Sequence, residues 1–241
     1  MIIDNNNSAR TEINNMIHML YPIIMNIFYI NVPKNELQKF TPNMIFTFSL
    51  FHNLFLHLFS VYTFTKLSLV LWEHNIVGAN QYYFQIKGVD TILFWFYMSK
   101  YYEFIDTFIL YAKNRDPICL QKYHHMGASF MWHLGYVYKF DGILFASLLN
   151  SGVHSIMYLY YFCSMFPCLS SNLRKYKIYI TSAQVGQLIY GAIALPWFYY
   201  KLETNENKAV IVVFDIYIAI LLLLFGNFMV VNYLSKKIAA Y

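Results

Sequence analysis

Residues 120–127 read Leu-Gln-Lys-Tyr-His-His-Met-Gly, and this stretch joins a basic loop to a segment that is apolar enough to span a membrane. His124 and His125 therefore stand side by side at the mouth of a predicted membrane helix. Ionisable residues within membrane helices are rare and usually functional, so this pair needs a chemical reason. We expect three further polar patches, each within an otherwise apolar segment, to surround it.

The composition of the 241-residue chain predicts a membrane protein. Hydrophobic residues make up 59% of the chain and charged residues 12%, about half the share of charge that is usual in a soluble domain. A surface of this composition would be solvated by a bilayer rather than by water. The net charge is +5, and the sequence contains no run of lysine or arginine. This argues against nucleic acid as a partner.

Seven segments are long and apolar enough to cross a bilayer as helices, which takes about 20 residues each. They lie near residues 16–32, 43–71, 89–111, 120–138, 143–165, 177–200 and 209–234. The connections between them are short. We predict an all-α polytopic membrane protein whose seven transmembrane helices form one bundle or barrel around an internal pocket. Residues 1–241 would form a single domain, with a polar N-terminal tail near residues 1–15.

The basic residues predict the orientation. The loops after the first, third and fifth segments, together with the C-terminal tail, carry ten lysines and arginines, whereas the opposite loops carry five. Basic loops stay in the cytosol. The C-terminus is therefore expected in the cytosol and the N-terminus across the membrane, which agrees with an odd number of spans.

The third segment carries a polar stripe. Lys100, Glu103, Asp106 and Thr107 stand at positions i, i+3, i+6 and i+7, which share one face of a helix. A charge at mid-membrane costs about 2.5–3.5 kcal/mol. The stripe must therefore face the interior and find partners there. The stripe either contains a purely structural ion pair of Lys100 and Glu103 or positions a group that takes part in a reaction.

Three more segments each have a polar face at helical spacing. The face of the fourth consists of Gln121, His124 and His125. The face of the fifth consists of Asn150, His154, Met157, Tyr158 and Tyr161. The face of the sixth consists of Thr181, Gln184 and Gln187. Amides alone often only join helices, but four such faces on successive segments favour a lined cavity. By contrast, we read His133 as structural and assign no chemistry to the scattered His18, His52, His57 and His74.

Together these stretches resemble the ELO family of very-long-chain fatty-acid elongases, which are membrane condensing enzymes. The family pattern K-x-x-E-x-x-D-T matches residues 100–107, N-x-x-x-H-x-x-M-Y-x-Y-Y matches residues 150–161, and T-x-x-Q-x-x-Q matches residues 181–187. The histidine box H-x-x-H-H matches at its last two positions but begins with Gln121. Glutamine there is either a sign of polyunsaturated acyl substrates or a residue that only hydrogen-bonds.

The resemblance implies a very-long-chain 3-oxoacyl-CoA synthase, an acyltransferase that condenses acyl-CoA with malonyl-CoA to 3-ketoacyl-CoA, carbon dioxide and CoA. It suggests His124 as the acyl carrier, through an acyl-imidazole intermediate. Our hypothesis assigns His125 and Gln121 to the orientation of that ring. His154 and Asn150 would donate hydrogen bonds to the thioester oxygen of the second substrate.

The remaining residues are predicted to bind substrate. Lys100, Gln184 and Gln187 would donate to CoA or to carbonyl oxygens, and Glu103 and Asp106 would fix Lys100 and the histidines. The rest of the predicted binding set is Thr107, Met157, Tyr158, Tyr161 and Thr181. Basic residues on the cytosolic side would attract the CoA phosphates; they are Lys113, Arg115, Lys122, Arg174 and Lys175.

The family also implies partners and a location. We expect membrane lipid and the two CoA thioesters as ligands, no cofactor and no metal, and the reductases and dehydratase of an elongation cycle as protein partners, with a homo-oligomer left open. The location implied by the family is the endoplasmic reticulum.

Three alternatives remain. The first is a family member that has lost activity through Gln121. A histidine-box di-iron desaturase or hydroxylase would need more histidine ligands than converge here, and a non-enzymatic seven-span receptor or transporter would leave the four polar faces unexplained.

Overall fold

The computed structural model describes residues 20–74, 83–194, 196–197 and 204–234. Within these ranges the backbone is helical and contains no strand, which confirms the all-α class. The first four residues of the first predicted segment, residues 195 and 198–200 of the sixth, and His18 lie outside the described residues.

Ten helices can be numbered in the described ranges. They are α1 (Leu20–Ile30), α2 (Lys34–Leu37), α3 (Pro42–Glu73), α4 (Val89–Tyr102), α5 (Phe104–Ala112), α6 (Cys119–Val137), α7 (Gly142–Ser164), α8 (Pro167–Leu173), α9 (Lys177–Ala194) and α10 (Asn205–Met229). A turn of π-helix, Val230–Leu234, continues α10.

Three segments of the described chain are long and apolar enough to cross a membrane: Pro42–Glu73, Gly142–Ser164 and Asn207–Leu234. Leu20–Ile30 is a shorter apolar helix. The helix α6 matches the predicted fourth segment closely in its bounds, but it carries the histidine pair and its polar neighbours, which lower its hydropathy. The count of seven spans therefore stays a prediction.

The third predicted segment is divided in the structure. A turn at Glu103 separates α4 from α5. The amide of Glu103 still donates to the carbonyl of Ser99 at 2.9 Å, while the amide of Asp106 donates to the carbonyl of Glu103 at 3.1 Å, a tighter i to i+3 bond. The helix is thus locally overwound beside the most polar residues of the stripe.

The long helix α3 is amphipathic in the sense opposite to that of a soluble helix. Its buried face includes Ser49, His52, Asn53, Ser60 and Thr63. Its exposed face carries large apolar side chains, among them Phe51, Phe55 and Leu58. Exposed apolar groups and buried polar groups are favourable when the surrounding solvent is lipid. The pattern places α3 at the outside of a membrane bundle, with its polar face turned inward.

The long helices contact one another in a cyclic order. Helix α3 packs along α7, α7 on α9, α9 on α10, α10 on α6, α6 on α4, and α4 on α3. Helix α1 joins this ring where Asn26 donates to the carbonyl of Met126 at 3.2 Å and accepts from the hydroxyl of Ser129. The histidine-bearing helix α6 is therefore held on three sides by α1, α4 and α10.

The contact between α6 and α10 depends on a missing side chain. A Cβ atom at Gly127 would overlap the aromatic ring of Tyr217. That ring is buried and stacks on Tyr123, with centroids 5.6 Å apart. Its hydroxyl donates to the backbone carbonyl of His124 at 3.2 Å. Gly127 thus forms the slot through which α10 fixes the backbone of the histidine pair.

We expect Gly127→Ala to lower the stability of the protein, because the added methyl group must displace a packed ring, and overpacking of this kind costs about 1–3 kcal/mol. Thermal unfolding of the purified protein in detergent measures the change.

Gly186→Ala is the matched control, since a Cβ at this helical position meets no atom within 4 Å. Alanine favours a helix over glycine, so this variant should be at least as stable as the natural chain. Equal stability of the two variants would contradict the claim that Tyr217 packs tightly against Gly127.

Candidate active site

Lys100 is the centre of a buried polar network between α4, α5 and α7. Its side chain is 1% exposed. The Nζ atom donates to Oε1 of Glu103 and to Oδ1 of Asn150, at 2.7 Å each. The rings of Phe96 and Trp132 lie 4.1 and 5.0 Å from Nζ, at cation–π distance. The ammonium group is thus enclosed and paired with one carboxylate.

The network continues to His154 on α7. Because Oδ1 of Asn150 accepts from Lys100, the amide nitrogen of Asn150 must be the group that faces His154. It lies 3.2 Å from Nε2 of the imidazole. The other ring nitrogen, Nδ1, lies 3.7 Å from Oε1 of Glu103. This arrangement fixes the tautomer of the His154 ring: Nε2 accepts a hydrogen bond, and the proton on Nδ1 points toward the carboxylate of Glu103.

Asp106 on α5 has a separate set of partners. Its Oδ1 accepts from Nε2 of His52 on α3 at 2.9 Å, and its Oδ2 accepts from the hydroxyl of Tyr158 on α7 at 2.7 Å. Three helices therefore meet at this carboxylate. Thr107, the next residue, bonds to the hydroxyl of Tyr29 at 2.8 Å and accepts from the amide of Gln121 at 3.3 Å.

The histidine pair lies next to His154. The ring centroids of His124 and His125 are 5.5 Å apart, and those of His124 and His154 are 6.4 Å apart. The ring of His125 is packed near Tyr29 and Phe104. Its Nδ1 atom has no hydrogen-bond partner in the described part of the chain. Three imidazoles from two helices are thus grouped in a buried region.

A cavity of about 670 Å³ adjoins these groups, within the usual range for small-molecule sites. Most of the predicted site residues line it: Glu103, Asp106, Gln121, His124, His125, His154, Met157, Tyr158, Tyr161, Thr181, Gln184 and Gln187. Lys100, Thr107 and Asn150 do not line it; each is bonded to a residue that does. Apolar lining comes from several side chains, including Ile109, Leu110, Ile180, Leu188, Phe225 and Phe228.

Helix α9 supplies amides to the cavity wall. The amide nitrogen of Gln184 lies 3.0 Å from the sulfur of Met157. The hydroxyl of Thr181 bonds to that of Tyr233 at 3.1 Å. The Oε1 atom of Gln187 has no partner among the described residues. The Gln187 carbonyl oxygen on this wall is therefore available to accept a hydrogen bond from a ligand.

One end of the cavity is basic. Lys113 and Arg115, just after α5, and Lys177, at the start of α9, line it where α7 ends. Burial and the neighbouring Arg115 lower the pKa of Lys113. Lys122, Arg174 and Lys175 are exposed and do not line the cavity. An anionic ligand would meet positive charge at this end and imidazoles deeper in.

The sequence matches the model of the ELO: GNS1/SUR4 family over residues 10–240. The chain belongs to the ELO family. A curated relative named "Fatty acid elongase 6" from Leishmania major is 32% identical over 202 residues, which cover 77% of this chain and 52% of the relative. "Very long chain fatty acid elongase 5" from Xenopus tropicalis is 30% identical over 214 residues, covering 77% of this chain and 64% of the relative. "Very long chain fatty acid elongase 4" from Trypanosoma cruzi is 29% identical over 226 residues, covering 86% and 76%.

The ELO chain thus spans about half to two thirds of the length of the first of these curated relatives. Its all-helical architecture and its long apolar helices are those of a multi-pass membrane protein. Within the described ranges, no group of three or more His, Cys, Asp and Glu side chains is arranged to hold a metal ion.

Sequence reasoning missed His52 in this ELO chain. The sequence places it among the scattered histidines without assigned chemistry, yet its side chain is fully buried and bonded to Asp106, a predicted site residue. The only sequence signal was its place among Ser49, Asn53 and Ser60 on the polar face of α3.

The sulfur of Met165 and the amide of Asn53 also meet at the cavity, 3.5 Å apart. His57 instead bonds to the backbone carbonyl of Ser155, and His133 to the hydroxyl of Tyr97.

We expect Lys100→Met to destabilise the protein by about 3–5 kcal/mol, because it leaves the carboxylate of Glu103 buried without its cation. The double variant Lys100→Met and Glu103→Gln should recover a large part of that loss, since it also removes the carboxylate that has lost its cation. Thermal unfolding in detergent measures both.

Lys39→Met is the control, because it breaks an exposed pair with Glu36, and exposed pairs contribute little. A Lys100→Met variant as stable as this control would contradict the buried ion pair.

Proposed function

We propose that this chain is a fatty-acid elongase that condenses acyl-CoA with malonyl-CoA. The observation that carries the proposal is the grouping of His124 and His154, from two helices, on the wall of one cavity with a basic end and an apolar lining. A thioester of CoA combines an anionic head with an apolar tail and matches both properties. Membership of the ELO family and the names of its elongase relatives support the same reaction class.

The first stage forms an acyl-enzyme at His124. The lone pair of one ring nitrogen attacks the thioester carbonyl, the carbon–nitrogen bond forms and the carbon–sulfur bond breaks. The proton of the other ring nitrogen goes to the departing thiolate, which leaves as CoA. The product on the enzyme is a neutral acyl-imidazole. An imidazole suits this role because it is a nucleophile that is neutral when free.

The second stage uses malonyl-CoA. Loss of carbon dioxide leaves an enolate of acetyl-CoA, whose carbon attacks the acyl carbonyl and displaces the imidazole nitrogen. The displaced imidazole nitrogen takes up one proton from the solvent, which is the proton that the overall condensation consumes, and 3-ketoacyl-CoA is released. Negative charge on the enolate oxygen calls for hydrogen-bond donors. His154 lines the cavity and would donate its Nδ1 proton to this oxygen. The amide of Asn150, which faces the other ring nitrogen, would hold the ring in the orientation and tautomer that this needs. No resident cofactor is needed.

The wider organisation follows from this chemistry. We propose that all seven predicted segments span the membrane, with the basic end of the cavity and the C-terminus toward the cytosol, where CoA thioesters are soluble. Residues 1–241 would act as one elongase domain around the acyl pocket. The location would be the endoplasmic reticulum, with membrane lipid, the other enzymes of the elongation cycle or a second copy of the chain as neighbours.

We expect His124→Ala to abolish the release of CoA when the purified protein is mixed with an acyl-CoA alone, because the acyl acceptor is lost. The natural chain should release a burst of CoA of about one equivalent per active site, detected with a thiol reagent, and form 3-ketoacyl-CoA only when malonyl-CoA is added.

His74→Ala provides the control, since this histidine is exposed at the end of α3, and its burst should equal that of the natural chain. An undiminished burst from His124→Ala would remove this residue from the role of acyl carrier.

Gln121 bears on which class of acyl-CoA the protein prefers. We propose a preference for polyunsaturated acyl chains, and the hydrogen bond from its amide to Thr107 supports a role in shaping the cavity wall. Gln121→His should keep the condensation activity but shift it toward saturated acyl-CoA, measured as the product ratio from an equimolar mixture of saturated and polyunsaturated substrates. An unchanged ratio would show that glutamine only hydrogen-bonds here.

A further inference from the structure

Asp106 is a carboxylate on the cavity wall with one donor on each oxygen. The donors come from two other helices: Nε2 of His52 on α3 reaches Oδ1, and the hydroxyl of Tyr158 on α7 reaches Oδ2. The carboxylate keeps 20% of its side chain exposed, whereas the imidazole of His52 is fully buried. Asp106 is thus held in one orientation while one side of it still borders the cavity.

The protonation of His52 follows from its contacts. Its Nδ1 atom is buried without a hydrogen-bond partner in the described part of the chain, and the ring is flanked by Tyr102 and Phe48, with centroids 5.3 and 6.3 Å away. A proton on Nδ1 would have nothing to bond to, and a buried unpaired donor is costly. The ring therefore carries its proton on Nε2 and donates it to Asp106, which accepts as an anion.

The buried charges around the histidines do not cancel. Lys100 neutralises Glu103. No lysine or arginine in the described ranges pairs with Asp106, whose hydrogen-bond partners are the neutral imidazole of His52 and the hydroxyl of Tyr158. The cations Lys113, Arg115 and Lys177 line the basic end of the cavity and still reach solvent, so that water and salt screen them. The deep part of the cavity therefore holds one negative charge without a buried cation.

We propose that His52 is a positioning residue for acyl transfer, which holds Asp106 as the counter-charge for the cation that forms on His124. This inference rests on the proposed elongase function. When the ring nitrogen of His124 bonds to the acyl carbon, the ring is positive until its other proton leaves with the thiolate. Asp106 neither gives nor takes a proton in this step; it stabilises the positive ring across the cavity. Asp106, His124 and His125 line the same cavity.

Opposite charge matters here because Asp106 and the three histidines are largely enclosed by protein. A fixed charge in a medium of low dielectric constant interacts with a developing charge much more strongly than it would in water. It must, however, be oriented before the reaction for its effect to appear in the rate. His52 supplies this orientation from a helix that contributes no imidazole to the cavity wall.

The test is the rate constant of the CoA burst, measured by rapid mixing of the purified full chain with acyl-CoA alone. The burst amplitude counts folded active sites, and the rate constant reports the chemistry in them. We expect His52→Phe, which keeps a flat ring between Tyr102 and Phe48, to lower the rate constant by about 10- to 100-fold, the effect of one hydrogen bond to a charged group. The amplitude should stay near that of the natural chain.

A double-mutant cycle shows whether His52 acts through Asp106. Asp106→Asn should slow the burst at least as much as His52→Phe, and adding His52→Phe to Asp106→Asn should slow it no further. His52→Gln, which offers an amide donor, should lie closer to the natural chain than His52→Phe. His57→Phe is the matched control on the same helix, because His57 bonds only to the backbone of α7 and does not line the cavity.

The outcomes separate the two proposals. If the natural chain gives no burst and no condensation, the elongase function is wrong and this inference is wrong with it. If the natural chain is active and His52→Phe has an unchanged rate constant, or the two changes are additive, only the role of His52 is overturned. If the His52→Phe variant loses its burst amplitude because it does not fold, the Asp106→Asn variant provides the test. A burst rate constant in Asp106→Asn equal to that of the natural chain would rule out Asp106 as the counter-charge.

Discussion

The buried pairing of Lys100 with Glu103 is the interaction on which the site depends. Two charges in a dry interior persist only if each is paired and hydrogen-bonded, and Lys100 satisfies this through Glu103, Asn150 and two aromatic faces. Because Asn150 must accept from Lys100, its amide nitrogen is directed at His154. One ammonium group thereby sets the orientation of an amide and an imidazole on a different helix.

The polar interior in turn explains the shape of the bundle. Each polar face is turned inward because lipid cannot satisfy it, and the large apolar side chains are left outside, as on α3. The cavity lies where the inward faces of α3, α5, α6, α7 and α9 meet. Polar groups that would be a liability in the bilayer become the lining of a site.

Much of this could be predicted from the sequence, because helical spacing alone assigns residues to faces. The stripe from Lys100 to Thr107, the histidine pair and the face of Asn150 and His154 are local patterns, and most of these residues line one cavity. Local patterns could not reveal partners from distant helices. His52 pairs with a residue 54 positions away, and a lone histidine in an apolar helix gives no sign of that. The turn at Glu103 and the slot at Gly127 depend likewise on packing between helices.

The account claims that a fatty acyl group is carried by an imidazole in a pocket between the helices. The most direct measurement is peptide mass spectrometry of the purified chain after incubation with an acyl-CoA and no malonyl-CoA. We predict an added acyl mass on a peptide that contains His124, which disappears when malonyl-CoA is supplied. An acyl mass on a cysteine such as Cys119 instead, or a fully unmodified chain that still condenses the two substrates, would contradict the account.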